Sequence, residues 1–375
     1  MRTLQNIVIL IISPEAWGIN RISKHHYAVE LSNRDNKVYF LNPPEIDSRE
    51  YQIEHISNNR NLYIIKSPQL IRGLNHIPFN IRKYFHRMLA KQILREIVHR
   101  VDVVWSFDPY RFQFMRAFGA RFNIYHAVDV HKNKVELDIV NNADLLLASS
   151  DRILDKFKAI DMPKFKINHG LAEYFINGKN NDVSFIEHPE KINVGYVGNL
   201  HYHFLDVDIL REIIVWNPDI DFYFIGPYEK SNLSQRINNY DFIEFLKSRI
   251  NVYLLGSVPS WQLPGYLSQC DLFLMCYSGD RNIAEMANPH KILEYLSTGK
   301  VVVCHYIDEY RSMRDIIELV DNNKLLPSTF HRVVENLNHY NSQHKSNRRI
   351  WYARANTYAK QIERIESIIN DLSIS

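Results

Sequence analysis

The segment Asn288-Pro289-His290-Lys291-Ile292-Leu293-Glu294-Tyr295-Leu296-Ser297-Thr298-Gly299 carries residue types that together suit a nucleoside diphosphate. Asn288 is a good helix N-cap, and Pro289 in the first helical position has its φ preset. The start of such a helix offers backbone amides and the positive end of its dipole, which attract an anion. Lys291 adds a full charge in the first turn. Glu294 follows His290 by four residues and Lys291 by three, so all three share a face. Its carboxylate could accept hydrogen bonds from ribose hydroxyls while a diphosphate lies over the amides. The same spacing also makes an ordinary capped helix with a Lys291–Glu294 surface pair, and spacing alone leaves both readings open.

Glycines point to the same half of the chain. Of 12 in all, Gly198, Gly226 and Gly256 each follow a short apolar run, and Gly299 stands where a left-handed C-cap is expected. One glycine after a strand is plain turn chemistry, whereas three at successive strand ends favour an edge lined by a ligand. In the other half, Asp108 in WSFDPY, His126, Asp129 and His169 stand at strand ends. The aspartates could serve as bases or as caps, and the histidines as functional or as hydrogen-bonded structural residues. No metal site is expected. Asp206-Val207-Asp208 and Asp219-Ile220-Asp221 mimic paired aspartates, but one pair opens a helix and the other precedes a strand, so both read as caps and turns. No His/Cys cluster has zinc spacing, and neither a P-loop nor a nucleophile elbow occurs.

These residues need elements to place them. Strand-like runs at Asn6–Ser13, Lys37–Asn42, Asn61–Lys66, Asp102–Ser106, Asn123–Val128, Asp144–Ser149 and Phe165–Asn168 alternate with helical patterns near 20–34, 78–100, 133–143 and 150–160. A polar, aperiodic stretch from Asn177 to Lys191 reads as a linker. Strands at Ile192–Val197, Asp221–Ile225, Asn251–Leu255, Asp271–Tyr277 and Lys300–His305 follow, and a long amphipathic helix at about 346–372 closes the chain. Alternation of this kind makes parallel sheets covered on both faces. The expectation is α/β: a doubly wound domain over 1–176, a linker over 177–191, a second doubly wound domain over 192–345, and a terminal helix over 346–375. Ligands of such sheets bind beyond the carboxyl ends of the strands, and two such domains facing each other would form a cleft.

The 375 residues, 46% of them hydrophobic, suit two domains, and a net charge of +3 does not argue for nucleic acid. Cys270, Cys276 and Cys304 sit in apolar stretches and read as free thiols of a reducing compartment. The run from Ile7 to Ile12 is too short to span a bilayer and lacks a basic flank and cleavage site, so it reads as the first strand of a cytoplasmic protein.

Several pieces in order carry a resemblance: VGYVGNL, NPDIDFYFIGP, NVYLLGSVPSWQLPGYLSQCDLFLMCY and NPHKILEYLSTGKVVV. Together they resemble the C-terminal domain of GT-B glycosyltransferases. More weakly, PEAWGINRISKHHYAVELSNRDNKVYFLNPP, IYHAVDV, ADLLLASSDRILDKF and INHGLAEYF are similar to the N-terminal domain of bacterial cell-surface polysaccharide glycosyltransferases of the xanthan glucuronosyltransferase and teichuronic-acid type. ANTYAKQIERIESII resembles the last helix of that family, which crosses back to the N-terminal domain. The resemblance implies a nucleotide-sugar donor, UDP- or GDP-linked, as substrate, with no separate cofactor. It would put Gly198 and Asn199 at the phosphates or sugar, Ser257 and Val258 by the base, Tyr277, His290 and Lys291 along the diphosphate and Glu294 on the ribose. Trp17 and Arg21, with His126 and His169, would touch a saccharide or lipid-linked acceptor.

Retaining members often carry two glutamates separated by seven residues. Here Met286 stands eight before Glu294, with Glu285 one step off, so an inverting transfer is expected. The basic pair after the first glycine loop is replaced by His201 and His203 of GNLHYHFLD, which leaves Lys291, the helix end and Arg281 to balance the phosphates. An inverting displacement needs a base, and Asp129, where the resemblance places an acidic residue, is the first candidate, with Asp108 second. Residues 66–100 carry eight Lys/Arg (Lys66, Arg72, Arg82, Lys83, Arg87, Lys91, Arg95, Arg100) against one acid, Glu96, with apolar residues at helical spacing. The helix at 78–100 could lie on an anionic membrane, as a lipid-linked acceptor would require, or be an ordinary helix with a solvated basic face. A nucleotide-sugar 2-epimerase and a non-catalytic nucleotide-sugar-binding protein are the other functions compatible with this fold.

Overall fold

Short runs of Val, Ile and Leu that are buried along almost their whole length can only be interior strands of parallel sheets, because both faces must be covered. The computed structural model describes residues 3–129, 131, 135–178, 183–229, 238–278 and 288–374. Arg281, Glu285 and Met286 lie outside the described residues. The chain divides into two compact units, one of residues 1–170 with 358–375 and one of residues 171–357.

Among the described residues, the first unit contains β1 (Val8–Ile12), β2 (Lys37–Leu41), β3 (Gln52–His55), β4 (Leu62–Lys66), β5 (Val103–Ser106), β6 (Phe122–Ala127), β7 (Leu145–Ala148) and β8 (Lys164–Lys166). Its helices are α1 (Ser23–Ser32), α2 (Phe79–Glu96), α3 (Val135–Val140) and α4 (Asp151–Asp155). The sheet runs β3-β4-β2-β1-β5-β6-β7-β8 and is parallel except for β3. That antiparallel edge strand, QIEH, is not among the expected strands. Its residues are mostly exposed and show no apolar run, as befits a short charged edge.

The second unit contains β9 (Asn193–Val197), β10 (Asp221–Ile225), β11 (Val252–Gly256), β12 (Leu272–Met275), β13 (Val301–Cys304) and β14 (Glu318–Leu319). Its helices are α5 (Tyr174–Asn177), α6 (Val207–Trp216), α7 (Tyr240–Lys247), α8 (Leu263–Leu267), α9 (Lys291–Ser297), α10 (Leu326–Glu335), α11 (Leu337–Tyr340) and α12 (Gln343–Ala355). The strand order β11-β10-β9-β12-β13-β14 is all parallel and is the order of dinucleotide-binding sheets.

Two features differ from expectation. The single closing helix is two, α12 and α13 (Tyr358–Ile374), and the chain passes from the second unit to the first between them. The cause is a backbone pairing: the Leu171 N–H donates to the Asn356 carbonyl at 2.7 Å, and Leu171 pairs with Thr357 as a parallel bridge. A residue paired in this way cannot continue a helix. α12 stays with the second unit because Arg349, fully buried, donates to the carbonyls of Ile316 and Gly299 at 3.0 Å and of Tyr340 at 2.8 Å. α13 is held in the first unit, where Arg34 binds Glu366 at 2.9 Å and Gln361 donates to the His169 carbonyl at 3.1 Å. The stretch read as a linker packs on the second unit in its latter part. Phe185 lies 5.1 Å from the Tyr223 ring and 5.0 Å from Tyr266, and the Glu187 N–H donates to the Tyr223 hydroxyl.

Candidate functional site

In the second unit the strand order reverses beside β9, so the crevice beyond the carboxyl ends of β9 and β12 is the place for a ligand. Gly198 follows β9 there, and Tyr277 follows β12. The three glycines form a row across neighbouring strand ends: the Gly198 N–H donates to the Ile225 carbonyl at 2.9 Å, and the Gly226 N–H to the Gly256 carbonyl at 2.8 Å. Gly226 has φ +145°, and a Cβ there would meet the Gly198 carbonyl oxygen at 2.0 Å. Only glycine fits, so the two strand ends approach backbone to backbone.

α9 brings its residues to the same edge. The Tyr295 hydroxyl accepts from the Val197 N–H at 2.8 Å, and its ring stacks on Phe273 at 4.4 Å. This buried tyrosine fixes the helix that carries Glu294 against the strand that ends in Gly198. It escaped the sequence reading because a tyrosine inside an apolar helix face looks like ordinary core.

The helix start is a correction. α9 begins at Lys291, and His290 occupies the cap position without a side-chain cap, where Asn288 was expected. Pro289 instead starts a tight turn. The Ile292 and Leu293 amides donate back to the Pro289 and His290 carbonyls at 3.2 Å each, so two of the amides expected to face an anion are spent. Charge attraction then rests more on Lys291.

Glu294 is the most telling group. Its side chain is 15% exposed, and Oε1 lies 3.8 Å from His290 Nε2. Oε2 is buried with no hydrogen-bond partner among the described residues. Burial pushes its carboxyl up from the usual range, and Lys291 opposes that only in part. A buried carboxylate oxygen without a donor is costly, and a ligand offering hydroxyl donors would relieve it.

The other donor-side residues differ in availability. Asn199 is half-buried, and its Oδ1 accepts from the His201 N–H at 2.9 Å. Ser257 is exposed, whereas Val258 packs against the unit's core. Tyr277 is buried. Its N–H donates to His305 Nδ1 at 3.3 Å, its carbonyl accepts from Asn323 at 2.8 Å, and burial pushes its phenol up to about 12. His201 does not offer itself to phosphate: its ring bonds the carbonyls of Asn238 at 2.9 Å and Glu229 at 3.2 Å. His203 is exposed and packs 3.9 Å from Phe204. One member of each aspartate pair has a structural role. Asp206 caps α6 through the Ile209 N–H at 3.4 Å and accepts from Asn323, and Asp221 is fully buried on Lys191 at 3.1 Å.

The first unit has the same kind of edge with different contents. Its order reverses beside β1, and Arg111 fills the place. The guanidinium donates to the carbonyl of Ser13 just past β1, to that of Asn42 just past β2 at 2.8 Å, and to Asp108 just past β5 at 2.8 Å. Asp108 also accepts from the Tyr110 N–H at 2.8 Å. Its carboxylate is therefore engaged in anchoring three strand ends. Asp129, by contrast, is exposed in the turn after β6.

His126 is buried among Tyr27, Trp105 and Phe107, with ring centroids 5.3, 6.1 and 4.9 Å away. Burial holds its imidazole near 3, hence neutral, and Nδ1 has no hydrogen-bond partner among the described residues. His169 Nδ1 meets the Ser23 hydroxyl at 2.9 Å at the start of α1. Trp17 packs edge-on against Phe40 at 5.1 Å, with Arg21 5.3 Å over its ring. Trp17, Arg21 and His25 form one cluster after β1. His25, whose imidazole is lowered to about 4 by burial, stacks on Phe40 at 5.0 Å.

Among the described residues, no group of three or more His, Cys, Asp or Glu is placed to hold a metal ion, and no helix is long and apolar enough to cross a membrane. No family model matches the chain, and no curated protein does. Its backbone is similar to solved structures. Sucrose-phosphate synthase from Thermosynechococcus elongatus superposes with a TM-score of 0.71 at 12% identity, covering 98% of this chain and 99% of that one. The E. coli trehalose-6-phosphate protein bound with UDP-2-fluoro glucose gives 0.69 at 11% identity, over 97% and 99%. Anabaena HepE in complex with UDP and glucose gives 0.63 at 14% identity, over 96% and 98%. The likeness shows the fold: two doubly wound Rossmann-like domains of the GT-B type.

Proposed function

We propose that this chain is a glycosyltransferase whose second unit binds a nucleotide-sugar at the carboxyl edge of β9 and β12. The observation that carries the reading is the buried, unpartnered Oε2 of Glu294, on a helix locked to the strand that ends in the glycine row. Ribose hydroxyls would supply the donors it lacks. Lys291 would balance the diphosphate, and the Gly198 backbone would let it approach closely. UDP is the nucleotide favoured over GDP, because HepE is seen with UDP and glucose and the E. coli protein with UDP-2-fluoro glucose. The stretches that resemble surface-polysaccharide enzymes support a saccharide or lipid-linked saccharide as acceptor.

Transfer proceeds in this reading as one displacement. An acceptor hydroxyl attacks the anomeric carbon, its proton passes to Asp129, and the nucleoside diphosphate leaves with the bonding electrons toward Lys291 and the start of α9. Asp129 suits the base because its carboxylate is accessible, whereas Asp108 is committed to Arg111. The sugar's configuration inverts.

One experiment tests these assignments together: titration calorimetry with UDP and product analysis on the wild type, Glu294→Ala and Asp129→Asn. Removing a charge-assisted hydrogen-bonding group weakens UDP by roughly 10- to 100-fold in Glu294→Ala. Asp129→Asn keeps UDP affinity and loses transfer, and the wild-type product is inverted by NMR. Unchanged UDP affinity in Glu294→Ala would remove the donor site from α9, near-normal turnover in Asp129→Asn would remove the base, and a retained product would remove the single displacement. Conversion of the nucleotide-sugar without any acceptor would instead identify an epimerase.

A further inference from the structure

The second unit has a cavity of about 360 Å³ that the donor reading does not use. One wall is α12, which contributes His344, Asn347, Arg348 and Trp351 at spacings of three and four residues. The other is the segment of Asp315 and Ile316 that leads into β14, and Met313 and Tyr352 complete the lining. In a parallel sheet, residues that precede a strand lie at the edge opposite its carboxyl end. Arg349 donates to the carbonyl of Ile316, just before β14, and to that of Gly299, just before β13. The cavity therefore sits at the amino edge of the sheet, a strand's length from the crevice beside Gly198 and Tyr277.

The two walls are tied together. The buried Arg349 joins α12 to the Ile316 carbonyl at 3.0 Å, and Arg348 pairs with Asp315 from one wall to the other. A site held in this way needs little ordering when a ligand arrives.

The groups that line it along α12 are available. Trp351 is 71% exposed, and its indole makes no hydrogen bond or ring contact among the described residues. The exposed His344 ring likewise has no hydrogen-bond partner among them. Asn347 accepts from Gln343 at 2.7 Å through Oδ1, which leaves its amide N–H groups to donate. The Arg348 guanidinium has more N–H donors than the one carboxylate of Asp315 can take up. Every exposed position of α12 other than Trp351 is polar or charged. A protein partner needs an apolar centre and a lipid a continuous apolar surface, and Trp351 alone supplies neither. One flat aromatic face beside several donors matches a sugar ring, which has a C–H face to stack and hydroxyls at its rim to bond.

We propose that this cavity binds a saccharide, with one sugar stacked on Trp351 and hydrogen-bonded by His344, Asn347 and Arg348, and that it holds a glycan chain away from the point of transfer. The role in holding a glycan rests on the transferase reading, whereas the binding itself does not. The test is fluorine NMR of the full chain with fluorotryptophan in place of tryptophan, titrated with maltotetraose, cellotetraose, chitotetraose and tetragalacturonate. Trp351→Phe identifies the Trp351 signal among those of the five tryptophans. UDP and saccharide affinities are measured by calorimetry on the same proteins.

At least one tetrasaccharide is expected to shift the Trp351 signal saturably. Trp351→Ala weakens that saccharide on the order of tenfold and Asn347→Ala by less, with UDP affinity unchanged in both. Both residues are exposed, so both variants keep the melting point of the wild type. A Trp351 signal that no tetrasaccharide moves, or shifts confined to the other tryptophans, overturns the assignment and leaves the transferase standing. So does a wild type that sediments as a dimer and that Trp351→Ala converts to a monomer, because the face would then join two copies of the chain. Saccharide binding at Trp351 in a wild type that does not bind UDP keeps the site and counts against the transferase itself.

Discussion

The two sheets share a topological device and use it in opposite ways. Each reverses strand order beside its first strand, β1 in one unit and β9 in the other, which opens a crevice at the carboxyl edge. In the first unit Arg111 closes that crevice, spending its guanidinium on strand ends from β1, β2 and β5. In the second, glycines keep the strand ends low, and a carboxylate waits with one oxygen unsatisfied. The lesson is that topology provides a place and side chains decide whether it is a clamp or a site. The first unit still holds a cavity of about 240 Å³ at that edge, lined by residues that follow β2, β4 and β5 and by α2.

The comparison can be broken most severely at Gly226. A methyl group there would collide with the Gly198 carbonyl, and φ +145° is closed to other residues. Gly226→Ala is expected to cost about 3 kcal/mol or more and to remove UDP binding. Urea unfolding with calorimetry checks both, and a mutant that binds UDP normally would show that the glycine row serves only the turn.

Arg111→Met tests the clamp. The pair with Asp108 has side chains 17% and 6% exposed, so removing the arginine leaves a buried carboxylate uncompensated. A loss of about 3 kcal/mol is expected in the first unit's stability, with UDP affinity in the second unaltered. A companion Arg111→Met/Asp108→Asn protein should recover part of that loss. If the single mutant is as stable as wild type, the crevice is not held shut by this residue.

The smallest effect sharpens the contrast. Glu294 has its carboxyl raised by burial in the folded state. The folded protein therefore holds that proton more tightly than the unfolded chain, a stabilisation present at low pH and lost as pH rises through the raised value. At neutral pH the ionised group is a liability. Glu294→Gln should melt slightly higher than wild type at pH 7, and the difference should vanish below about pH 4. Melting curves across that range decide it. A mutant less stable at pH 7 would mean that the carboxylate is supported by the fold and not held ready for a ligand.

Much of the fold was legible in sequence because it rests on local pattern. Runs such as VILII, buried beyond its first residue, and VVVC, buried throughout, could only be interior strands. The glycines at the ends of β9, β10 and β11 were visible as a row in sequence and are a row in space. α9 was legible too, but its cap was not, since Pro289 permits either a helix start or a tight turn. β3 and the two-residue β14 were illegible because an edge strand needs only one covered side or one neighbour. The break between α12 and α13 was hidden because the apolar periodicity runs through it.

What the sequence determined alone is therefore the inventory of elements and the residues at their ends, since propensity and period act over a few neighbours. Tertiary structure decided which of those residues are committed. Asp108, His201 and Asp221 look as available as Glu294 when read along the chain. Partners at Arg111, at two backbone carbonyls and at Lys191 take the first three, while no described residue reaches Glu294 Oε2. Commitment depends on groups far apart in sequence meeting at hydrogen-bond distance, and only the folded chain fixes those meetings.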